Sequence, residues 1–262
     1  MGCLLHMLAV LLALLLTPMI AQAEPERCPS CTTPVIFSDA YRDTLGERAR
    51  YVVELNGLAV GNAEFTVNSE GRLESQSVIE YRGQFVLDSF ISSMTQLHGQ
   101  AASVMTRQKR AAVHSMLRFK AKQADVDERV KFFDLAHRLY GTRSRSGKIQ
   151  EDHRALSVPI WDALAAYYLM RALPPESSGC FLVYAQRRLY TVWFKHVGLE
   201  KIATPLGLRP AHYVKMHFRD DRTNAKVHHA EIWLGQIRSR IPYRFVLNGK
   251  DTLVARIESL TR

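Results

Sequence analysis

Cys28-Pro29-Ser30-Cys31 has the spacing of thiol chemistry. At the start of a helix that follows a strand, a C-x-x-C lowers a thiol pKa and supports disulfide exchange. Here the motif lies in a polar, proline-containing stretch without that setting. The expected state is a local Cys28–Cys31 disulfide in an oxidising compartment, with thiol-redox catalysis by the same pair as the alternative. The chain has 4 cysteines. Cys3 falls in an apolar N-terminal run, and Cys180 opens an apolar stretch where a reduced thiol acts as a small hydrophobe.

Other reactive residue types are present without a catalytic spacing. There are 10 histidines, but His228-His229 are neighbours on a predicted strand and point to opposite faces. His212 and His217 are also out of phase on one strand. No H-E-x-x-H, G-x-S-x-G, phosphate loop or dinucleotide fingerprint occurs, so no catalytic residue, metal ligand or cofactor is assigned. The basic residues Arg118, Lys120, Lys122, Arg187, Arg188, Arg238, Arg240 and Arg244 interleave with apolar ones. On strands that pattern puts charge on one face, suited to solvent or to an anionic lipid or polysaccharide.

The elements that must position these residues are one helix and many strands. Val158 to Leu173, VPIWDALAAYYLMRAL, is apolar nearly all round, as in a buried helix. Ser157 is the expected N-cap, Pro159 suits the first turn, and Pro174-Pro175 stops the helix. Trp161, Leu164, Ala165, Tyr168, Leu169 and Ala172 share a face. Asp162 and Arg171 lie on opposite sides and cannot pair with each other.

Outside the helix, alternation of period two recurs with turn residues between. Residues 50–67 read as two strands about Asn56-Gly57, a type I′ signal, with Gly61-Asn62 placing a bulge or close contact. A further strand is expected near 73–81, and several extended stretches between Ala101 and Tyr140, among them one at 116–122 and one starting at Val130, with basic turn material from Gly141 to Gly147. Phe85 to Met94 is ambiguous between helix and strand. After the helix come 180–184 and 189–197, a Thr204-Pro205-Leu206-Gly207 turn, then 213–218, 227–234, 243–247 and 253–257, with Asn248-Gly249 before the last. The fold class is mainly β: an antiparallel, strongly curved sheet or barrel with one buried central helix at about 158–173.

Composition sets the compartment and narrows the partners. The chain has 262 residues, a formal charge of +10 and 47% hydrophobic residues. Its mean hydropathy is -0.13 and its pI about 9.6. That charge favours anionic partners, while the absence of long like-charge runs argues against nucleic acid. Cys3 to Ile20 followed by Ala21-Gln22-Ala23 reads as a signal peptide cut after Ala23. The run lacks a leading Lys or Arg, so the alternative is an uncleaved inner-membrane anchor. The expected organisation is a signal peptide over 1–23, a polar surface lead-in over 24–48, and a single β-rich domain over 49–262.

Several ordered motifs resemble a family of exported bacterial proteins, the domain of unknown function 3108. They are Tyr51 with Gly57 and Gly61, then Asp162 through Tyr168 with Arg171, Leu173 and Pro174. Thr204-Pro205-Leu206-Gly207 follows, then Ile232-Trp233-Leu234 with Arg240-Ile241-Pro242. The resemblance covers about residues 48–260. It departs at Gly235-Gln236, where the family usually has a Ser and an Asp, and the C-x-x-C is not a family feature. It implies a periplasmic, β-rich protein and supplies no activity.

The reading is a periplasmic, non-enzymatic binding or envelope-associated protein, peripheral to the membrane at most. Its ligand would be an apolar or anionic lipid or a glycan. An exported enzyme or thiol-redox protein using Cys28 and Cys31 is the alternative. If the sheet closes around a cavity, Trp161, Tyr168, Leu169 and Trp233 are expected to line or plug it. Arg118, Lys120 and Arg240 would then hold a headgroup.

Overall fold

The computed structural model describes residues 31, 41–88, 98–121, 124–133, 138–155, 158–174, 176–205, 207–221, 227–236 and 240–262. The signal-peptide reading, Cys28, Lys122, Ser157 and Arg238 lie outside them, as does most of the ambiguous stretch 85–94.

The first eight strands form a meander: β1 (Arg48–Leu55), β2 (Leu58–Leu73), β3 (Gln76–Leu87), β4 (His98–Thr106), β5 (Ala112–Ala121), β6 (Ala124–Phe133), β7 (Arg138–Arg145) and β8 (Lys148–Ala155). The short β9 (Ile160–Asp162) leads into helix α1 (Ala163–Ala172). A second meander follows: β10 (Ser178–Ala185), β11 (Arg188–Thr204), β12 (Gly207–Asp220), β13 (His228–Gly235), β14 (Pro242–Asn248) and β15 (Leu253–Thr261). Antiparallel pairing of β1 with β15 joins the two meanders into one 15-stranded sheet, which β8 and β9 bound at its edges. Among the described residues, only β9 and β10 pair in parallel.

The local signals act as their chemistry requires. Asn56 (φ 51°) and Gly57 (φ 83°) both take the left-handed conformation of a type I′ turn. The Asn56 side chain accepts from the Thr252 N–H at 2.8 Å, which ties this turn to the start of β15. The register shifts between Val53 and Glu54, so β2 bulges just before Gly61. A Cβ on Gly61 would lie 2.3 Å from the Val86 carbonyl oxygen, so only glycine fits there.

The curved sheet does not close through a backbone ladder. Side chains bridge its ends instead. Tyr184 donates to Asp152 at 3.0 Å, and the Gln186 N–H donates to Glu128 at 3.0 Å. Arg143 reaches the Gln186 carbonyl at 3.3 Å, and Arg154 pairs with Asp221. Burial raises the Glu128 carboxyl pKa, while Arg143 opposes the shift.

Four expectations need correction. The helix begins at Ala163 rather than near Val158, because residues 160–162 pair with β10, and Asp162 is the N-cap. Residues 141–145 extend β7, and the turn is confined to Ser146 and Gly147. The lead-in does not stay on the surface: Tyr41 and Glu47 are buried. Finally, Cys31 is bonded to Cys180 rather than to Cys28, with a Cα–Cα distance of 5.4 Å and a sequence separation of 149. That bond secures the lead-in beside β10 and makes Cys180 a disulfide partner rather than a free thiol.

Candidate functional site

Helix α1 separates two environments. Its capping residue, Asp162, accepts from the Leu164 and Ala165 N–H groups at 3.0 Å each and from the Ser103 hydroxyl at 2.7 Å. Burial still pushes the Asp162 carboxyl up to about 6, with those three hydrogen bonds opposing the shift. One helix face packs against the sheet, where Tyr168 stacks on Tyr81 with centroids 3.9 Å apart.

The other face borders an apolar cavity of about 110 Å³. The helix contributes Ala163, Leu164, Ala166, Tyr167 and Met170 to its wall. Alternate residues of β10 and β11, among them Phe181, Val183 and Val192, face them. Met216, Ala230, Ile232, Phe245 and Ala255 continue the wall across β12 to β15. The Tyr51 hydroxyl donates to the Pro242 carbonyl at 2.9 Å and lies 2.9 Å from the Tyr167 hydroxyl. Both phenols therefore have partners, and burial pushes Tyr167 up to about 12. These neutral walls suit a hydrocarbon.

A buried polar group closes the end of the helix. The Arg171 guanidinium donates to Glu47 at 2.5 Å, and the two side chains are 1% and 2% exposed. Its carbon lies 5.0 Å from the Tyr168 ring centroid and 5.6 Å from that of Tyr41. Tyr41 donates to Asp43 at 2.7 Å, and Asp43 pairs with Arg110 at 3.2 Å. The lead-in thus supplies the counter-charges for two arginines of the domain.

The residues expected to bind ligand are scattered. Trp161 is packed in the core, with its indole N–H donating to the Arg110 carbonyl at 2.7 Å. Tyr168 and Leu169 are buried and lie outside the cavity lining. Trp233 is out of phase with the cavity residue Ile232; it stacks on Tyr213 and donates to Glu200 at 2.7 Å. Arg118 and Lys120 are exposed on β5, where Arg118 pairs with Asp127 at 2.8 Å. Arg240 alone among the three basic residues is buried.

Sequence reasoning missed the cavity wall contributed by Ala166, Tyr167 and Met170, although the helix being apolar all round was its signal. It also missed the histidine pair, His196 Nε2 to His212 Nδ1 at 3.0 Å. Those residues are 16 apart, and cross-strand register brings them together. No group of three or more metal-ligating side chains occurs among the described residues. No described helix is long and apolar enough to cross a membrane.

The model of the family described as "Protein of unknown function (DUF3108)" matches residues 50–251. No curated protein matches the chain. Among solved structures, the chain is similar to a β-barrel-like protein of the domain of unknown function DUF1849 from Brucella abortus. That match has a TM-score of 0.53 and 10% identity, covering 82% of this chain and 97% of that one. It is also similar to a Bacteroides fragilis protein with a YmcC-like fold, at a TM-score of 0.42 and 9% identity, covering 87% of this chain and 100% of that one.

Proposed function

The chain belongs to the DUF3108 family, and from that premise we propose that it is an exported, non-enzymatic binding protein of the cell envelope. Its ligand is an apolar chain, such as the acyl chain of an envelope lipid, held between α1 and strands β10 to β15. The observation that carries this reading is the cavity of about 110 Å³, whose wall is hydrocarbon apart from tyrosine hydroxyls. An apolar cavity of roughly 150 Å³ stays dry and takes up small apolar guests. A longer chain needs room beyond that volume. Met170 and Met216 on opposite walls are unbranched side chains that can repack to supply it. The N-terminal apolar run and Ala21-Gln22-Ala23 support export with cleavage after Ala23.

One preparation tests both parts. Protein extracted gently from its native envelope is expected to lack its first 23 residues by intact mass and to carry an apolar adduct by native mass spectrometry. Ala230→Phe places a ring in the cavity and should abolish the adduct while the fold persists. Wild type that carries no adduct and gains none from fatty acid overturns the binding reading. A retained Met1 replaces the cleaved signal with an anchor.

A further inference from the structure

Arg240 is buried, at 7% exposure, yet pairs with no carboxylate among the described residues. Its Nε and Nη1 are inaccessible to solvent and have no hydrogen-bond partner among the described residues. A buried guanidinium without a counter-charge is unfavourable for folding, so its retention calls for another reason. The one group among the described residues that acts to hold its charge is the Tyr41 phenol. That phenol is itself held neutral by burial and donates to Asp43.

Across the sheet His212 is level with Leu234 and Leu234 with the cavity-lining Pro242, and Arg240 lies near enough to act electrostatically on His212. Arg240 precedes the cavity-lining Pro242 by two residues. His212 shares a face of β12 with Met216 and Phe218, both of which line the cavity. His196 likewise shares a face of β11 with the cavity residue Val192. Following either strand outward, apolar wall gives way to imidazole. Further out, that face of the β11–β12 hairpin carries exposed Leu199, Lys201 and Leu208. Glu176, exposed, is the carboxylate that acts on His212.

The histidine pair keeps a donor whichever way its proton points. When both rings are neutral, one N–H is used between them. The accepting ring then carries its own N–H on its other nitrogen, free for a ligand. A guanidinium fork with an adjacent imidazole N–H suits an oxyanion, phosphate above all.

We propose that Arg240, His212 and His196 form an oxyanion site at the cavity mouth that takes the phosphate headgroup of the bound chain. This deepens the proposed function and rests on it for the chain, while the anion site itself can be measured separately.

Dodecyl phosphate, dodecanol and inorganic phosphate are titrated by calorimetry into wild type, Arg240→Met and His212→Asn, and the apo proteins are melted alongside. Wild type should bind dodecyl phosphate at least about tenfold more tightly than dodecanol, as expected for a charged hydrogen bond. Arg240→Met should bind the two equally and melt no lower than wild type, because it removes a buried charge that has no counter-charge among the described residues. His212→Asn should narrow the preference. Equal binding by wild type overturns the proposal, as does a preference that survives in Arg240→Met. If Arg240→Met melts well below wild type, an unaltered preference in His212→Asn overturns it. If neither amphiphile binds wild type, the cavity reading fails. Phosphate binding that is lost in Arg240→Met then sustains the anion site for a free ion, and no phosphate binding overturns it.

Discussion

Replacing Glu47 with Ala tests whether the N-terminal lead-in is part of the folded domain. Its carboxylate meets Arg171 at 2.5 Å with both side chains almost wholly buried. The backbone around it is anchored too, since Val67 donates to the Glu47 carbonyl at 2.9 Å. Removing the carboxylate leaves a guanidinium buried against the rings of Tyr41, Tyr167 and Tyr168. Breaking a buried pair from one side typically destabilises by about 3–5 kcal/mol. The rings offset some of that, because a desolvated cation over an aromatic face gains up to about 2 kcal/mol. The net expectation is a loss of roughly 2–4 kcal/mol, a large share of the ~5–15 kcal/mol that holds most domains folded. Guanidinium chloride unfolding measures it as a shift in midpoint. The double variant Glu47→Leu with Arg171→Met should recover most of the loss, because replacing both charges with apolar groups is often neutral or stabilising. A Glu47→Ala loss below about 1 kcal/mol, the range of an exposed ion pair, refutes the reasoning. It would mean that water reaches Arg171 and that residues 41–47 do not cover the helix end.

Two further tests address the disulfide and the helix cap. Non-reducing peptide mapping should recover a Cys31–Cys180 peptide, and Cys180→Ser should lower stability by about 2–5 kcal/mol because the bond closes a long loop. Recovery of Cys28–Cys31 instead would remove the link between lead-in and β10. Asp162 has a folded pKa of about 6 against an unfolded value near 3.9, so the folded state holds the proton more tightly. Its contribution is fully present below pH ~4 and is lost as pH rises through about 6, a change of roughly 2–3 kcal/mol. Asp162→Asn keeps a capping side chain without that titration. The stability difference between wild type and this variant, measured by denaturation from pH 4 to 7, should therefore fall with pH; a flat difference contradicts the assignment.

What the sequence determined by itself is local. Alternation of period two along residues 50–67 and 213–218 defines strands because successive side chains on a strand meet opposite environments. Asn56-Gly57 selects its turn because both positions need positive φ. The shared face of Leu164, Ala165, Tyr168, Leu169 and Ala172 is buried as helical spacing requires, whereas Trp161, expected on the same face, is buried from β9. The helix start was less legible. Ser157 and Asp162 are both good caps by type, and pairing of 160–162 with β10 decides between them. Contacts distant in sequence were not legible at all. Cys31 lies two residues past Pro29 and could meet Cys28 or Cys180 by chemistry alone; only its position beside β10 pairs it with Cys180. An all-round apolar helix does not reveal which face meets a packed sheet and which meets a cavity, because both surfaces are apolar. Only the curl of the sheet puts Tyr168 against Tyr81 and Tyr167 in the cavity wall. The same curl buries Arg240 while leaving Arg118 in solvent, although both are arginines in similar apolar settings along the chain.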